Sequence, residues 1–413
     1  MQICRVWQNA WKNGYDKPLE LGIPDNWNWE MLEMPADRMP PLTKEQIRLK
    51  LRDPIGSPGI RELASRGKQA AIVFDDLTRG TQTKEIAELV VEELLLGGLP
   101  RENIRFICAL GCHAPMTRED FVKKLGEEIV ENYPVYNHNA FGNCVCVGVD
   151  KDGVPVEVNE EFMACDIRIG IGAVSPHPFN GFGGGAKLIF PGLASFRTTL
   201  ANHGRREFGG AGSLSPCGFR SDVENMAAMT GPFFKIDVIL NAHLDTVAVF
   251  AGEDLSEYRE AARCSAVLNA LPAAAEKDLV IVNANAKYNE SLIAVTIASQ
   301  ILREGGDLVL INHCPAGQVT HYLYSAFGAC SSGPLAGKGA GARQMRCGRL
   351  IYCTPYPDHT SRTKFSQPEK LVFAKSWDEV LAVLEDTGAR RDVSLISDGS
   401  ISYFPHVLRG SES

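Results

Sequence analysis

At 413 residues, with 45% hydrophobic and 22% charged side chains, the chain is long enough for two globular domains, each with its own core. A formal net charge of −8, with no run of five or six basic residues, argues against a nucleic-acid or anionic-membrane surface. No apolar stretch reaches the roughly eighteen residues that span a bilayer. The start, Met-Gln-Ile-Cys-Arg-Val-Trp-Gln-Asn, has no signal-peptide core, and a cytoplasmic protein is expected.

Residues 1–40 are rich in Trp, Pro and Asn and have no clear periodicity. Thr43-Lys-Glu-Gln46, ahead of Ile47 and Leu49, has the form of a helix capping box. From Ala70 the order becomes strand, polar turn, helix: Ala70-Ala-Ile-Val-Phe74, then Asp75-Asp-Leu-Thr-Arg79, then Ile86, Leu89, Val90 and Leu94 at helical spacing. Ile104–Leu110 is the next strand, with Gly111-Cys-His113 just past its end, and Thr117-Arg-Glu-Asp120 starts a helix. Asp166–Val174 is a third strand, delivering the run Ser175-Pro-His-Pro-Phe-Asn-Gly-Phe-Gly-Gly-Gly-Ala-Lys187.

The alternation restarts after about residue 275, with strands at 279–283, 307–312 and 350–353 and helices at 292–302 and 377–384. Leu271–Lys277 is the expected linker, and the Gly-, Ala- and Ser-rich stretch 314–348 an expected long loop over a cleft between domains. The expected architecture is two α/β domains with mostly parallel sheets and an active-site cleft between them. Residues 1–275 would carry the site and 276–413 close the cleft, with the extreme carboxyl terminus free to return to the first domain.

The twelve cysteines are dispersed, many in strand-like segments such as those of Cys108, Cys165 and Cys353. Cys144-Val-Cys146 would point both thiols to one face. With no Cys-x-x-Cys, neither a structural zinc site nor a redox dithiol is indicated, and reduced thiols are expected.

Three polar segments follow strand ends, the edge at which open α/β sheets bind ligands. They collect Asp76, Thr78, Arg79, His113, His177 and Lys187, with His203 further along in Ala-Asn-His. Lys187 in a glycine-rich loop reads as an attachment point, since glycine lets backbone or ligand approach closely. A phosphate loop is excluded, because Ala186 stands where its last glycine belongs and Leu188 where its hydroxyl belongs. Gly337-Lys-Gly-Ala-Gly341 fails in the same way and reads as a mobile loop. Histidines near neutrality bind metals or move protons. Arg79 and Thr78 suit a phosphate or carboxylate, while Asp76 alone is equally a helix cap.

Asp76-Leu-Thr-Arg79, Gly111-Cys-His-Ala-Pro-Met-Thr117 and His177-Pro-Phe-Asn-Gly-Phe-Gly-Gly-Gly-Ala-Lys-Leu-Ile-Phe-Pro-Gly-Leu-Ala-Ser195 through Ala-Asn-His203 together resemble the nickel-dependent lactate racemase family, over about residues 55–255. The resemblance implies a nickel-pincer nucleotide (a pyridinium-3-thioamide-5-thiocarboxylate mononucleotide) tethered to Lys187, with His203 as the protein ligand of nickel. It implies paired acid/base roles for His113 and His177. Asp76, Thr78, Arg79, Gly184, Gly185 and Pro191 would contact the cofactor, with the substrate carboxylate as the alternative ligand of Asp76, Thr78 and Arg79. Separate maturation enzymes would supply the cofactor.

The departures from the family lie in its substrate contacts. Ala114 follows the first catalytic histidine where lactate racemases carry arginine, Ala186 precedes the lysine, and Leu292–Thr296 replaces a Tyr-Gln-x-x-Lys stretch. No tryptophan occurs between Trp29 and Trp377. The expected function is a racemase or epimerase of a larger 2-hydroxy acid, pairing with Asn180, Asn289 or Ser291. The alternatives are a homologue that kept the fold without turnover, or a lactate racemase. An NAD-dependent dehydrogenase is disfavoured, as no Gly-x-Gly-x-x-Gly follows an early strand.

Overall fold

The computed structural model describes residues 2–8, 18–205, 207–328, 330–336, 346–358, 362, 367–384 and 390–406. Contacts divide the chain into two compact units, Met39–Leu240 with Asp245–Leu268, and Met1–Arg38 with Asn241–Leu244 and Asn269–Ser413. Each has a six-stranded sheet of mostly parallel strands, as the α/β alternation predicts.

The sheet of the first unit runs Thr246–Glu253, Phe234–Leu240, Ile167–Ala173, Ala70–Asp75, Ile104–Ala109, Val135–Asn137. Only the first pair is antiparallel. Ala70–Asp75 is buried at every position, as a central strand covered on both faces must be. Helix Thr83–Leu96 follows it, burying Ile86, Leu89, Val90 and Leu94, the positions spaced for one apolar stripe. Helix Lys44–Arg52 begins with the capping box expected at Thr43, and helix Arg118–Leu125 starts where expected, with a second capping box at Thr117.

The sheet of the second unit is parallel throughout, in the order Leu371–Ala374, Arg349–Cys353, Leu302–Ile311, Lys277–Asn283, Arg391–Ile396, Trp27–Leu32. An antiparallel hairpin, Gln2–Val6 with Leu19–Ile23, packs Cys4, Val6, Leu21 and Ile23 into the apolar cluster of that unit.

Three expectations need correction. The first 38 residues do not belong with residues 39–240, because Trp27–Leu32 pairs in register with Arg391–Ile396 as an edge strand. Its partner is distant in sequence, so no local pattern announces the pairing. The carboxyl-terminal segment stays in this same unit as far as it is described, with Ala270 bridged to Tyr403; residues 407–413 lie outside the described residues. The helix expected over 292–302 stops at Ala298, and Leu302 opens a ten-residue strand, Leu302–Ile311. An apolar run of that length fits either period.

The described part of 314–348 has no helix or strand, only isolated bridge residues such as the Ala326–Ser332 pair. Gly337-Lys-Gly-Ala-Gly341 lies outside the described residues. None of the twelve cysteines forms a disulfide; Cys146 is exposed on strand Cys144–Val149, and Cys108, Cys165 and Cys353 are buried.

Two stability effects follow from this architecture. Leu32 is 2% exposed in the edge strand, so Leu32→Ala should cost about 2–5 kcal/mol. A lower denaturant midpoint, with faster amide exchange in Arg391–Ile396, is the expected readout.

His138 is buried in the first unit, its Nε2 3.0 Å from the Ala194 carbonyl and its Nδ1 3.2 Å from the Asn159 amide nitrogen. Burial lowers its pKa to about 4, against the pull of the Ala194 carbonyl. The unfolded ring titrates near ~6.5. Between these values the unfolded chain holds one more proton, so stability falls as pH falls, by ~1.4 kcal/mol per unit for this group. Above the unfolded value the contribution is complete and flat. Urea unfolding at pH steps across that window should show a shallower acid loss for His138→Gln; an unchanged slope removes His138 from the account.

Candidate active site

The first turn follows strand Ala70–Asp75. Asp76 is 5% exposed and does not cap the following helix, whose N-cap residue is Gln82. Its Oδ1 accepts the Thr78 backbone N–H at 2.9 Å and the Thr78 hydroxyl. Its Oδ2 lies 2.6 Å from His113 Nδ1. Arg79 Nη1 donates to Thr78 Oγ1 at 2.8 Å and to the Thr78 carbonyl at 3.0 Å. Burial alone would raise the Asp76 carboxyl, but the His113 charge and hydrogen bond, with Arg79 and Thr78, hold it well below the usual carboxylate range.

Asp76 therefore orients His113, a task the sequence reading did not give it. With Nδ1–H donated to a carboxylate, the lone pair of the neutral ring lies on Nε2. His113 sits in a turn past strand Ile104–Ala109 that docks on the lysine segment, the Gly111 N–H donating to the Gly192 carbonyl at 2.8 Å.

The glycine-rich run forms a two-stranded hairpin, Pro176–His177 with Gly181–Phe182, followed by the short 3-10 turn Gly185–Leu188. Gly181 has φ +76°, and a Cβ there would meet the Ser213 carbonyl at 1.9 Å. Gly185 has φ +57°, and its N–H donates to Asp237 Oδ2 at 2.7 Å. These are conformations and clearances only glycine tolerates.

The hairpin folds His177 back onto Lys187, with Nε2 and Nζ 2.9 Å apart. The Phe179 N–H donates to His177 Nδ1 at 3.1 Å. Asn180 lies alongside, its Nδ2 3.5 Å from His177 Nδ1, and its Oδ1 is buried without a partner.

His203 lies on helix Phe196–Arg205, 7% exposed, its Nδ1 3.0 Å from the Thr199 carbonyl. Donation to that carbonyl leaves Nε2 as the lone-pair nitrogen, the state a metal ligand needs. Phe179 and Phe219 meet the ring edge-on, at 6.2 and 5.0 Å between centroids. Burial, then the charge of Lys187 and more weakly that of His113, pushes its pKa down to about 3 despite the carbonyl. The three groups are thus within electrostatic reach of one another. Beside His203, Asn202 is 1% exposed and neither amide atom has a hydrogen-bond partner.

Asp76, Thr78, Arg79, His113, His177 and Lys187 accordingly lie past strand ends, and His203 comes from a helix. Gly184 and Gly185 shape the lysine turn, and the Pro191 carbonyl accepts the Ala194 N–H at 3.0 Å. Ala186 departs from expectation. It is fully buried in an apolar cluster with Leu188, Ile189 and Phe190, so its small size serves packing rather than leaving space for a ligand. Asn289, Ser291 and Leu292–Thr296 belong to the other unit. There Ser291 donates to Gln318 at 3.0 Å, and the Thr296 hydroxyl donates to the Leu292 carbonyl. Among the described residues, no group of three His, Cys, Asp or Glu is placed to hold a metal ion, and no helix is long and apolar enough to cross a membrane.

Sequence reasoning missed Asp75, Lys124, Lys235 and Asp237, buried charges beneath the two turns. The signal for the last two was available, as opposite charges two residues apart in an apolar strand.

The pattern of the lactate racemase N-terminal domain matches residues 15–210. A lactate racemase of Thermoanaerobacterium thermosaccharolyticum is 25% identical over 293 residues, 68% of each chain, and one of Lactiplantibacillus plantarum 28% identical over 280 residues, 65% of each. In fold, the lactate racemase apoprotein of T. thermosaccharolyticum aligns with a TM-score of 0.75 at 20% identity, over 98% of this chain and 100% of that one. A Thermotoga maritima protein aligns with a TM-score of 0.64 at 19% identity, over 88% and 98%. The matched segment holds the Asp76 turn, His113, the His177–Lys187 hairpin and His203, and over it the chain is similar to the lactate racemase family.

Proposed function

We propose that the protein is an isomerase that racemises or epimerises a 2-hydroxy acid other than lactate, with a nickel-pincer nucleotide joined to Lys187. The observation that carries this reading is the 2.9 Å approach of His177 to Lys187 within the glycine turn. The residues fit such a group. His203 would offer Nε2 to nickel, a metal for which imidazole is a suitable ligand, while Thr199 fixes the other ring nitrogen. The remaining donors would come from the bound molecule, as no cluster of side chains supplies them among the described residues.

Asn180 Oδ1 and the Asn202 amide are buried and unpartnered, a state that costs about 1–3 kcal/mol per group unless something polar binds there. Thr78 and Arg79 would hold the nucleotide end or the substrate carboxylate, and Gly184, Gly185 and Pro191 would line the group with backbone. When bound, the group supplies an acceptor for the α-hydrogen and its electron pair, which no side chain offers.

Proton movement falls to the two histidines. One takes the hydroxyl proton and the other returns it, so that the carbon can be rebuilt in either configuration. Asp76 keeps His113 in a single tautomer for this task. Maturation enzymes are the expected partners.

Protein produced with those enzymes and nickel tests the assignment by intact mass and metal analysis. Lys187→Ala should lack the mass adduct, and His203→Ala should keep it while losing nickel. An adduct of unchanged mass on Lys187→Ala would end the tether assignment.

The substrate reading rests on Ala114 and on the apolar Leu292–Thr296 stretch, which remove charged partners for a small carboxylate. Each lost charged hydrogen bond is worth about 1.5–3 kcal/mol. A longer acid regains it through its own hydroxyls, with Asn180 as one acceptor. Loss of optical purity across a panel of enantiopure 2-hydroxy acids should be faster for a sugar acid than for lactate. Lactate as the best substrate would overturn this part.

A further inference from the structure

Strand Phe234–Leu240 is apolar except for Lys235 and Asp237, both 0% exposed. They share one face, and Lys235 Nζ donates to Asp237 Oδ1 at 2.7 Å and to the Ile236 carbonyl at 2.9 Å. The other oxygen, Asp237 Oδ2, takes the Gly185 N–H at 2.7 Å and so anchors the turn that carries Lys187.

Two strands away stands a second buried pair. Lys124, 0% exposed, donates to Asp75 Oδ1 at 2.5 Å and to the carbonyls of Arg79 at 3.0 Å and Thr81 at 3.3 Å. Asp75 Oδ2 takes the Thr81 hydroxyl at 2.6 Å. This pair anchors the turn that carries Arg79.

The strand between them presents Gly172, the register partner of Asp237. A Cβ on Gly172 would lie 3.1 Å from Lys235 Nζ, 3.5 Å from Asp237 Oδ1 and 3.6 Å from Asp75 Oδ2. The two pairs therefore face one compartment across a position that has no side chain.

Buried ion pairs are poor stabilisers, because desolvation offsets their attraction and apolar replacements often fold as well. What these four residues hold accounts for them better than stability does. We propose that Asp75, Lys124, Lys235 and Asp237 act as one brace that fixes the Asp76–Thr81 turn relative to the Gly184–Lys187 turn. They are positioning residues for the chemistry of those turns, and this inference rests on the active-site reading only in calling the turns functional.

Hydrogen exchange of the full chain, which needs neither cofactor nor turnover, tests it. In Asp237→Asn, amides of 183–188 and of 76–82 should both exchange about tenfold faster or more, with Ile104–Ala109 unchanged. Two independent anchors would instead confine the change to 183–188, and that result overturns the brace. Gly172→Ala leaves all four charges in place and puts a methyl group at the junction; it should loosen both turns, and no change in either would also overturn the proposal. Should Asp237→Asn fail to fold, Gly172→Ala decides alone. Trace acetylation of Lys187, read by peptide mass, should change in the same variants; this readout stays informative if the racemase assignment fails.

Discussion

A parallel sheet delivers the carboxyl ends of its strands to one edge, and the site depends on that constraint. Ala70–Asp75, Ile104–Ala109 and Ile167–Ala173 are mutually parallel, so the turns that leave them emerge side by side. Asp76 reaches His113 and His177 reaches Lys187 with no long excursion of chain. His203 comes from a helix, and Phe179 of the hairpin packs against its ring. The chemistry is thus distributed over segments far apart in sequence and held close by strand pairing.

Polarity is concentrated where the fold would do better without it. Asp75, Asp76, Lys124, Asn180, Asn202, His203, Lys235 and Asp237 are all buried in the first unit. Most have partners that also fix a turn, as Asp237 does for Gly185 and Asp76 for His113. Asn202 is the exception, with an unpartnered amide beside the histidine proposed to bind metal. An apolar core of equal volume would fold at least as readily, so these groups mark the region where stability has given way to placement.

What could be read from the sequence was local. The capping boxes at Thr43 and Thr117, the central strands and the glycine-rich lysine loop declare themselves within a few residues, through turn chemistry, hydrophobic period and tolerance of positive φ. The histidines and Lys187 stood out because they punctuate segments past strand ends. Long-range partners did not. Trp27–Leu32 waits for a strand more than 350 residues later, as Trp27 pairs with Arg391. Lys235 and Asp237 lie in a strand whose other residues are apolar, and Ala186 belongs to the packing of its cluster. Nothing in the local sequence told Asp76 to orient a histidine rather than cap a helix.

The two histidines are held by unlike partners, a buried carboxylate at His113 Nδ1 and a backbone N–H at His177 Nδ1. Mirror-image substrates would therefore meet a protein that is not mirror-symmetric. Enantiomers have equal free energies, so the equilibrium constant of a racemisation is one whatever the catalyst. The ratio kcat/KM must then be the same in both directions. The asymmetry between a carboxylate-held and an amide-held imidazole has only one outlet, unequal kcat values matched by equally unequal KM values. For two epimers of a longer acid the equilibrium constant departs from one, and the ratio of the two kcat/KM values must equal that constant, again whatever holds the rings.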